Sequence, residues 1–213
     1  MSELTEAIRN GDAAKVASLL DADPDAASTA ENGTTPLMLA IYLGKPEIAQ
    51  LLAGRSPSIS FHELCALGDL DRARQLLAAD RSLLDRRSAD GFPPLGLAIF
   101  FRHPELARWL IEEGADVNAA AENAQRVAPL HAAAAVCDRE TARLLLERGA
   151  DPRARQQGDY TPLHGAASRG DVELGNMLLA RGADRDAKGA DGLTPADVAV
   201  KYGHPDWAEK LLA

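Results

Sequence analysis

Five histidines are the residues of this chain that could serve as general bases or metal ligands near neutral pH. They are His62, His103, His131, His164 and His204. The sequence has no His-x3-His, Cys-x2-Cys or Glu-x-x-His spacing, no Gly-x-Ser-x-Gly motif and no phosphate-binding glycine loop. His131 and His164 instead close two copies of a Pro-Leu-His motif, which favours a structural role: the imidazole binds backbone groups near a helix start.

The other potentially reactive side chains are scattered as well. Cys65 and Cys137 lie in separate segments and are not expected to meet, so a reducing cytoplasm fits better than a disulfide. The 32 Asp and Glu residues are spread over predicted turns, which is typical of a solvated surface. The sequence therefore predicts a non-enzymatic protein without a metal or cofactor.

The elements that position these residues are helix hairpins, and the clearest one lies between Thr161 and Gly182. The Thr161 hydroxyl can cap a helix whose first residue is Pro162, where the missing N–H costs nothing. Gly170 can end that helix in a left-handed conformation, and Asp171 can cap a second helix that ends at Gly182. Such a hairpin has one apolar face that it cannot cover by itself.

Further copies of the hairpin supply that cover. The proline slot is filled in turn by Glu3, Pro36, Ser60, Pro94, Pro129, Pro162 and Pro195. A leucine recurs deep in each second helix, at Leu19, Leu52, Leu76, Leu110, Leu145, Leu178 and Leu211. The chain therefore consists of seven repeated units, with one interval shortened between the second and the third.

The period and the signature of these units resemble the ankyrin repeat. The motifs that carry the resemblance are Thr-Pro-Leu-His at 161–164, Ala-Pro-Leu-His at 128–131, and Gly-Ala-Asp at 114–116, 149–151 and 182–184. The resemblance covers nearly the whole chain. The excess of arginine over lysine and the abundance of alanine also favour a GC-rich, bacterial genome.

The resemblance implies an all-α solenoid, in which antiparallel helix pairs stack side by side and are joined by hairpin-like fingers. We expect residues 1–213 to form one monomeric ankyrin repeat domain. Its units are expected at about 2–33, 34–57, 58–90, 91–122, 123–156, 157–189 and 190–213. The family mostly binds other proteins, so the resemblance also implies a protein partner.

Two departures from the repeat pattern stand out. The stretch from Gly54 to Ser58 leads into the third unit early, so the finger there must be truncated; this is either a harmless deletion or a notch that shapes a pocket. Arg102 and Cys137 occupy slots where the family places a glycine. Because a non-glycine residue at positive φ is costly, we expect the helices to run on or to end differently there.

Aromatic residues, which are scarce in this chain, and arginines mark the candidate binding face, since these two types dominate binding hot spots. Most of the nine aromatics fall in finger or helix slots that need not be buried, whereas Phe61, Trp109 and Trp207 are expected in the core or at its edge. An alternative is that some of the rings pack between repeats, Phe101 first among them. The predicted partner-binding residues are a cluster at Phe92, Phe100, Phe101 and Arg102, its extension by Arg126, Tyr160 and Arg169, and Tyr42 and Tyr202 at the wings.

Charge and hydropathy narrow the classes of partner. The net charge is −9, and no Lys/Arg cluster suits a nucleic acid. The acidic surface argues against anionic membranes, and neither an 18-residue apolar run nor a signal peptide is found, so we expect a cytoplasmic protein. The predicted function is protein binding along the concave face. The alternative is a regulatory or immunity-type subunit whose acidic surface blocks a basic active site; a catalytic role near 56–61 has no residue constellation behind it.

Overall fold

The computed structural model describes residues 2–31 and 33–212, and these ranges form an all-α solenoid, as predicted. They contain three short 3-10 helices, at Pro24–Ser28, Arg81–Leu83 and Gln157–Asp159, and one isolated β-bridge between Glu31 and Thr34. The fourteen α-helices of these ranges are α1 Glu3–Asn10, α2 Ala13–Ala22, α3 Pro36–Tyr42, α4 Pro46–Arg55, α5 Phe61–Leu67, α6 Leu70–Ala79, α7 Pro94–Phe100, α8 Pro104–Glu112, α9 Pro129–Val136, α10 Arg139–Glu147, α11 Pro162–Ser168, α12 Val172–Ala180, α13 Pro195–Lys201 and α14 Pro205–Leu212.

Consecutive helices pack as pairs across turns of two or three residues, and the pairs stack on one another. The odd-numbered helices form one continuous row from α1 to α13, and even-numbered helices pack behind them. No helix could bury its apolar face alone, so each unit depends on its neighbours for a core. The exact limits of the seven units remain a prediction.

Helix starts follow the capping chemistry that the sequence indicates. Ser60 and Glu63 form a reciprocal capping box at the start of α5, in which the Ser60 backbone N–H donates to a Glu63 carboxylate oxygen at 2.7 Å. Thr194 and Asp197 form the equivalent box at α13. Buried Glu63 also accepts a hydrogen bond from the Thr35 hydroxyl, and so joins two neighbouring units.

The expectation for Arg102 and Cys137 was wrong. Both residues adopt the left-handed conformation of the glycines that they replace, with φ of 63° and 58°. The turn after each is tied back into the preceding helix, since Asp138 N donates to Ala133 O at 3.0 Å and His103 N to Ala98 O at 2.9 Å. Stacking against both neighbours holds the next helix in register, and the local strain is therefore tolerated.

Backbone hydrogen bonds link the fingers from the fourth unit onward. The fingers are residues 86–92, 119–127, 154–160 and 187–193. Each contact joins the tip of one finger to the next at 2.8 Å: Glu122 N to Gly91 O, Gln157 N to Gln125 O, and Ala190 N to Gly158 O. This ladder fixes the spacing of the fingers, and therefore of the side chains that they present.

The buried core divides where the finger is truncated. α4 ends at Arg55 and α5 begins at Phe61, which leaves no room for a finger between the second and third units. The buried residues from Leu4 to Leu52 form one cluster, apart from Met38, which joins the larger cluster reaching from Phe61 to Leu211. Phe61 and Trp207 are buried and Trp109 is partly buried, as the sequence predicted.

Candidate functional site

A groove of about 480 Å³ opens between the fingers and the odd-numbered helices of the fourth and fifth units. We call it the central groove. Its lining residues come from α7 (Gly96, Leu97, Phe100), from α9 (His131, Ala132, Ala135), from three fingers (Phe92, Gln125, Val127, Gln156, Gln157) and from the end of α3 (Tyr42). Its size lies within the range of about 300–1,000 Å³ that is usual for ligand sites.

Small side chains and a lengthened finger create the space. Ala132 and Ala135 line the groove from α9, and each has only a methyl side chain. The finger before α9 carries extra residues, and Arg126 within it adopts a left-handed conformation with φ of 50°. The Gln125 backbone N–H donates to Asn123 Oδ1 at 3.0 Å, and Asn123 Nδ2 donates to Asp90 O at 2.9 Å. The turn that carries Gln125 is therefore held against the preceding finger.

Phe100 and Phe101 have different environments, although they are neighbours in the sequence. Phe100 lines the groove with 53% of its surface exposed, whereas Phe101 is partly buried and packs against the core. The two rings meet edge to face with centroids 5.2 Å apart. Phe101 therefore supports Phe100 from behind, and Phe92, also partly buried, lines the groove beside it.

Tyr42, which was predicted at a wing of the binding face, lies next to this aromatic cluster. Its ring centroid lies 5.8 Å from that of Phe101, and its hydroxyl donates a hydrogen bond to the Asp90 carboxylate of the finger 86–92. Burial and this bond to Asp90 raise the pKa of Tyr42. Since no finger precedes the third unit, the Tyr42 side chain reaches across that unit and closes one end of the groove.

His131 has one ring nitrogen without a partner. Its Nε2 lies 3.2 Å from the Tyr160 carbonyl oxygen and must therefore donate, which leaves a lone pair on Nδ1. Nδ1 is buried and forms no hydrogen bond with any described residue. Burial lowers the pKa of His131 to about 4, so the ring is neutral at pH 7.

His164, one unit later, has the hydrogen-bond partner for Nδ1 that His131 lacks. Its Nδ1 lies 2.9 Å from the Thr161 hydroxyl and accepts from the Thr161 N–H at 3.1 Å. The position equivalent to Thr161 in the fifth unit is Ala128, which has no hydroxyl. These contacts place both histidines in the structural role that their motifs indicate.

The remaining predicted residues lie outside the groove lining. Arg126 donates to Gln156 O at 3.3 Å and lies 3.7 Å from Asp159. The Tyr160 hydroxyl donates to Asp191, which raises the pKa of Tyr160 to about 12. The three others are exposed on the turns that follow α7, α11 and α13: Arg102, Arg169 and Tyr202.

Sequence reasoning missed the polar part of the groove. Gln125, Gln156 and Gln157 come from two different fingers, and none of them was predicted to bind a partner. The available signal was the lengthened finger before α9, together with the two glutamines that precede Gly158. Among the described lining residues none carries a formal charge at neutral pH, although the chain has a net charge of −9.

Residues 2–31 and 33–212 contain neither a metal-binding cluster nor a membrane-spanning helix. In these ranges no three His, Cys, Asp or Glu side chains are grouped so that they could hold a metal ion. No helix there is both long and apolar enough to cross a bilayer. Both cysteine thiols are free, Cys65 buried and Cys137 exposed.

Comparison with protein-family models agrees with this architecture. A model described as ankyrin repeats in three copies matches residues 61–156 and again 130–213. A single ankyrin repeat model matches residues 32–60. Together these matches span residues 32–213, so the chain belongs to the ankyrin repeat family, whose members generally act as protein–protein interaction modules.

Proposed function

We propose that this protein is a non-enzymatic, monomeric and cytoplasmic binding module, which recognises a protein partner along its concave face with the central groove as anchor point. The observation that carries the proposal is an uncharged, aromatic-lined groove on the surface of an otherwise acidic protein. The partner surface extends outward over the predicted residues Arg102, Arg126, Tyr160 and Arg169.

The exposed face of Phe100 gives the size of the anchoring energy. A phenylalanine side chain buries about 150–250 Å², so covering the 53% of Phe100 that remains exposed removes about 100 Å² from water. At about 25 cal/mol/Å² this contributes about 2–3 kcal/mol, enough for a binding hot spot. The ladder of finger hydrogen bonds holds the groove in shape before binding, which reduces the entropy lost.

The absence of charge in the groove favours this function over the blocking of a basic active site by an acidic surface. Apolar anchoring depends weakly on ionic strength, whereas attraction between exposed charges is largely screened at high salt. The two functions therefore differ in the salt dependence of partner binding.

The test uses two substitutions that change charge equally. Phe100 and Leu212 are 53% and 74% exposed, but only Phe100 lines the groove. Partners captured from native lysate by the wild type are compared with those captured by Phe100→Asp and by Leu212→Asp, after circular dichroism has shown that both variants fold. We expect Phe100→Asp to lose the partner and Leu212→Asp to keep it, at both about 0.05 M and about 0.5 M salt.

Retention by Phe100→Asp would place the binding surface elsewhere on the protein. Binding that disappears at high salt for the wild type would support the acidic blocking function instead. Light scattering of the free protein checks the monomeric state.

A further inference from the structure

The three glutamines of the central groove have free side-chain amides. None of the carboxamides of Gln125, Gln156 and Gln157 forms a hydrogen bond within residues 2–31 and 33–212, and all three line the groove. Each carboxamide offers two N–H donors and a carbonyl acceptor. A peptide backbone presents the same two kinds of group at each residue, so the amides can pair with an incoming main chain.

The main chain that carries these glutamines is well held. Gln156 N donates to Tyr160 O at 3.0 Å within one finger, and Gln157 N donates to Gln125 O at 2.8 Å between two fingers. These bonds hold the backbone of the two fingers that carry the three glutamines, and all three residues line the groove.

Much of the remaining groove lining is apolar. Phe92, Leu97, Phe100, Ala132 and Ala135 all line it. A charged side chain placed there would lose its hydration without gaining a partner, which costs free energy. An apolar side chain placed there would instead be stabilised by the burial of its surface. The groove lining thus combines apolar side chains with unpaired amides.

We infer that the central groove binds an extended, uncharged segment of the partner protein, whose main chain pairs with the carboxamides of Gln125, Gln156 and Gln157 while one bulky apolar side chain enters beside Phe92 and Phe100. A helical segment would leave the carboxamides unused, because its own backbone groups are already paired. This inference rests on the proposed function and adds the chemistry of the segment that is recognised.

The experiment uses a phage-displayed library of random linear twelve-residue peptides, selected on the wild-type protein and counter-selected on Phe100→Asp. The enriched peptides are synthesised, and their Kd values are measured by fluorescence anisotropy. The test variant is Gln156→Leu/Gln157→Leu, and the control is Gln75→Leu, an exposed glutamine of α6 outside the groove. Circular dichroism verifies that each variant is folded.

We expect the selected peptides to share a bulky apolar residue with uncharged neighbours. Their affinity should fall at least tenfold on the double glutamine variant and on N-methylation of the peptide backbone next to the apolar residue, and it should not change on Gln75→Leu. Enrichment of basic peptides, failure to enrich any peptide, or full affinity on the double variant would overturn the inference. The proposed function is tested separately, by partner capture with Phe100→Asp.

Discussion

Replacing Ala128 by threonine is expected to stabilise the protein, because it supplies the hydroxyl that the fifth unit lacks. Ala128 is 5% exposed and precedes α9 with φ of −84° and ψ of 160°. Thr161, at the equivalent position before α11, is 3% exposed with φ of −100° and ψ of 167°. The two backbones are similar, so the threonine introduced by Ala128→Thr can adopt the Thr161 arrangement and donate to His131 Nδ1.

The size of the effect follows from two contributions of the same hydroxyl. A threonine cap contributes about 0.5–2 kcal/mol relative to alanine. A buried acceptor without a partner, such as His131 Nδ1, costs about 1–3 kcal/mol. Because one hydroxyl accounts for both and the contributions overlap, we expect a net gain of about 1–2 kcal/mol. For a chain of this length that corresponds to a rise in Tm of about 2–8 °C.

Urea unfolding followed by circular dichroism measures the gain for the wild type, Ala128→Thr and Ala128→Val. Valine has the branched shape of threonine without its hydroxyl, so the difference between the two variants isolates the hydrogen bond. Ala128→Thr should be the more stable variant by about 1 kcal/mol or more. Equal stability of the two variants, or destabilisation by threonine, would refute the explanation based on His131 Nδ1.

Three further predictions concern packing and protonation. Phe101→Ala should lower the free energy of unfolding by about 1–3 kcal/mol, and Phe100→Ala should lower it by less than about 0.5 kcal/mol. If the denaturant midpoints show the reverse order, Phe100 is the core ring. Gly175→Ala places a Cβ well inside the contact distance of Trp207 Cζ2. It should therefore lower the free energy of unfolding by about 1–3 kcal/mol and change the tryptophan emission. An unchanged Tm would mean that α14 can shift freely. Burial lowers the pKa of His131 from 6.5 to about 4, so between these values the unfolded chain binds more protons, and stability should fall as the pH drops from about 6.5 to 4. Unfolding midpoints of the wild type and His131→Gln across this range check the prediction, which requires a shallower slope in the variant.

The sequence was sufficient for the helices and their repetition. Thr161, Pro162 and Asp171 act within a few residues of their own positions, through caps and fixed φ angles, so their effects can be read without knowing the fold. The family and the all-α class followed from the recurrence of such signals. The helix ends at Arg102 and Cys137 could not be read in this way, because local conformational cost disfavours the left-handed state that the stacked neighbours impose.

The central groove is largely a product of tertiary structure. Composition and slot positions sufficed to nominate Phe92 and Phe100, but the separation of Phe100 from Phe101 depends on which ring faces the core. Tyr42 and Gln157 line the same groove although they lie far apart in the sequence. Repeat periodicity determines which face of a helix is buried; only the hydrogen bonds between fingers and the direct packing of distant units determine which side chains meet on the open face.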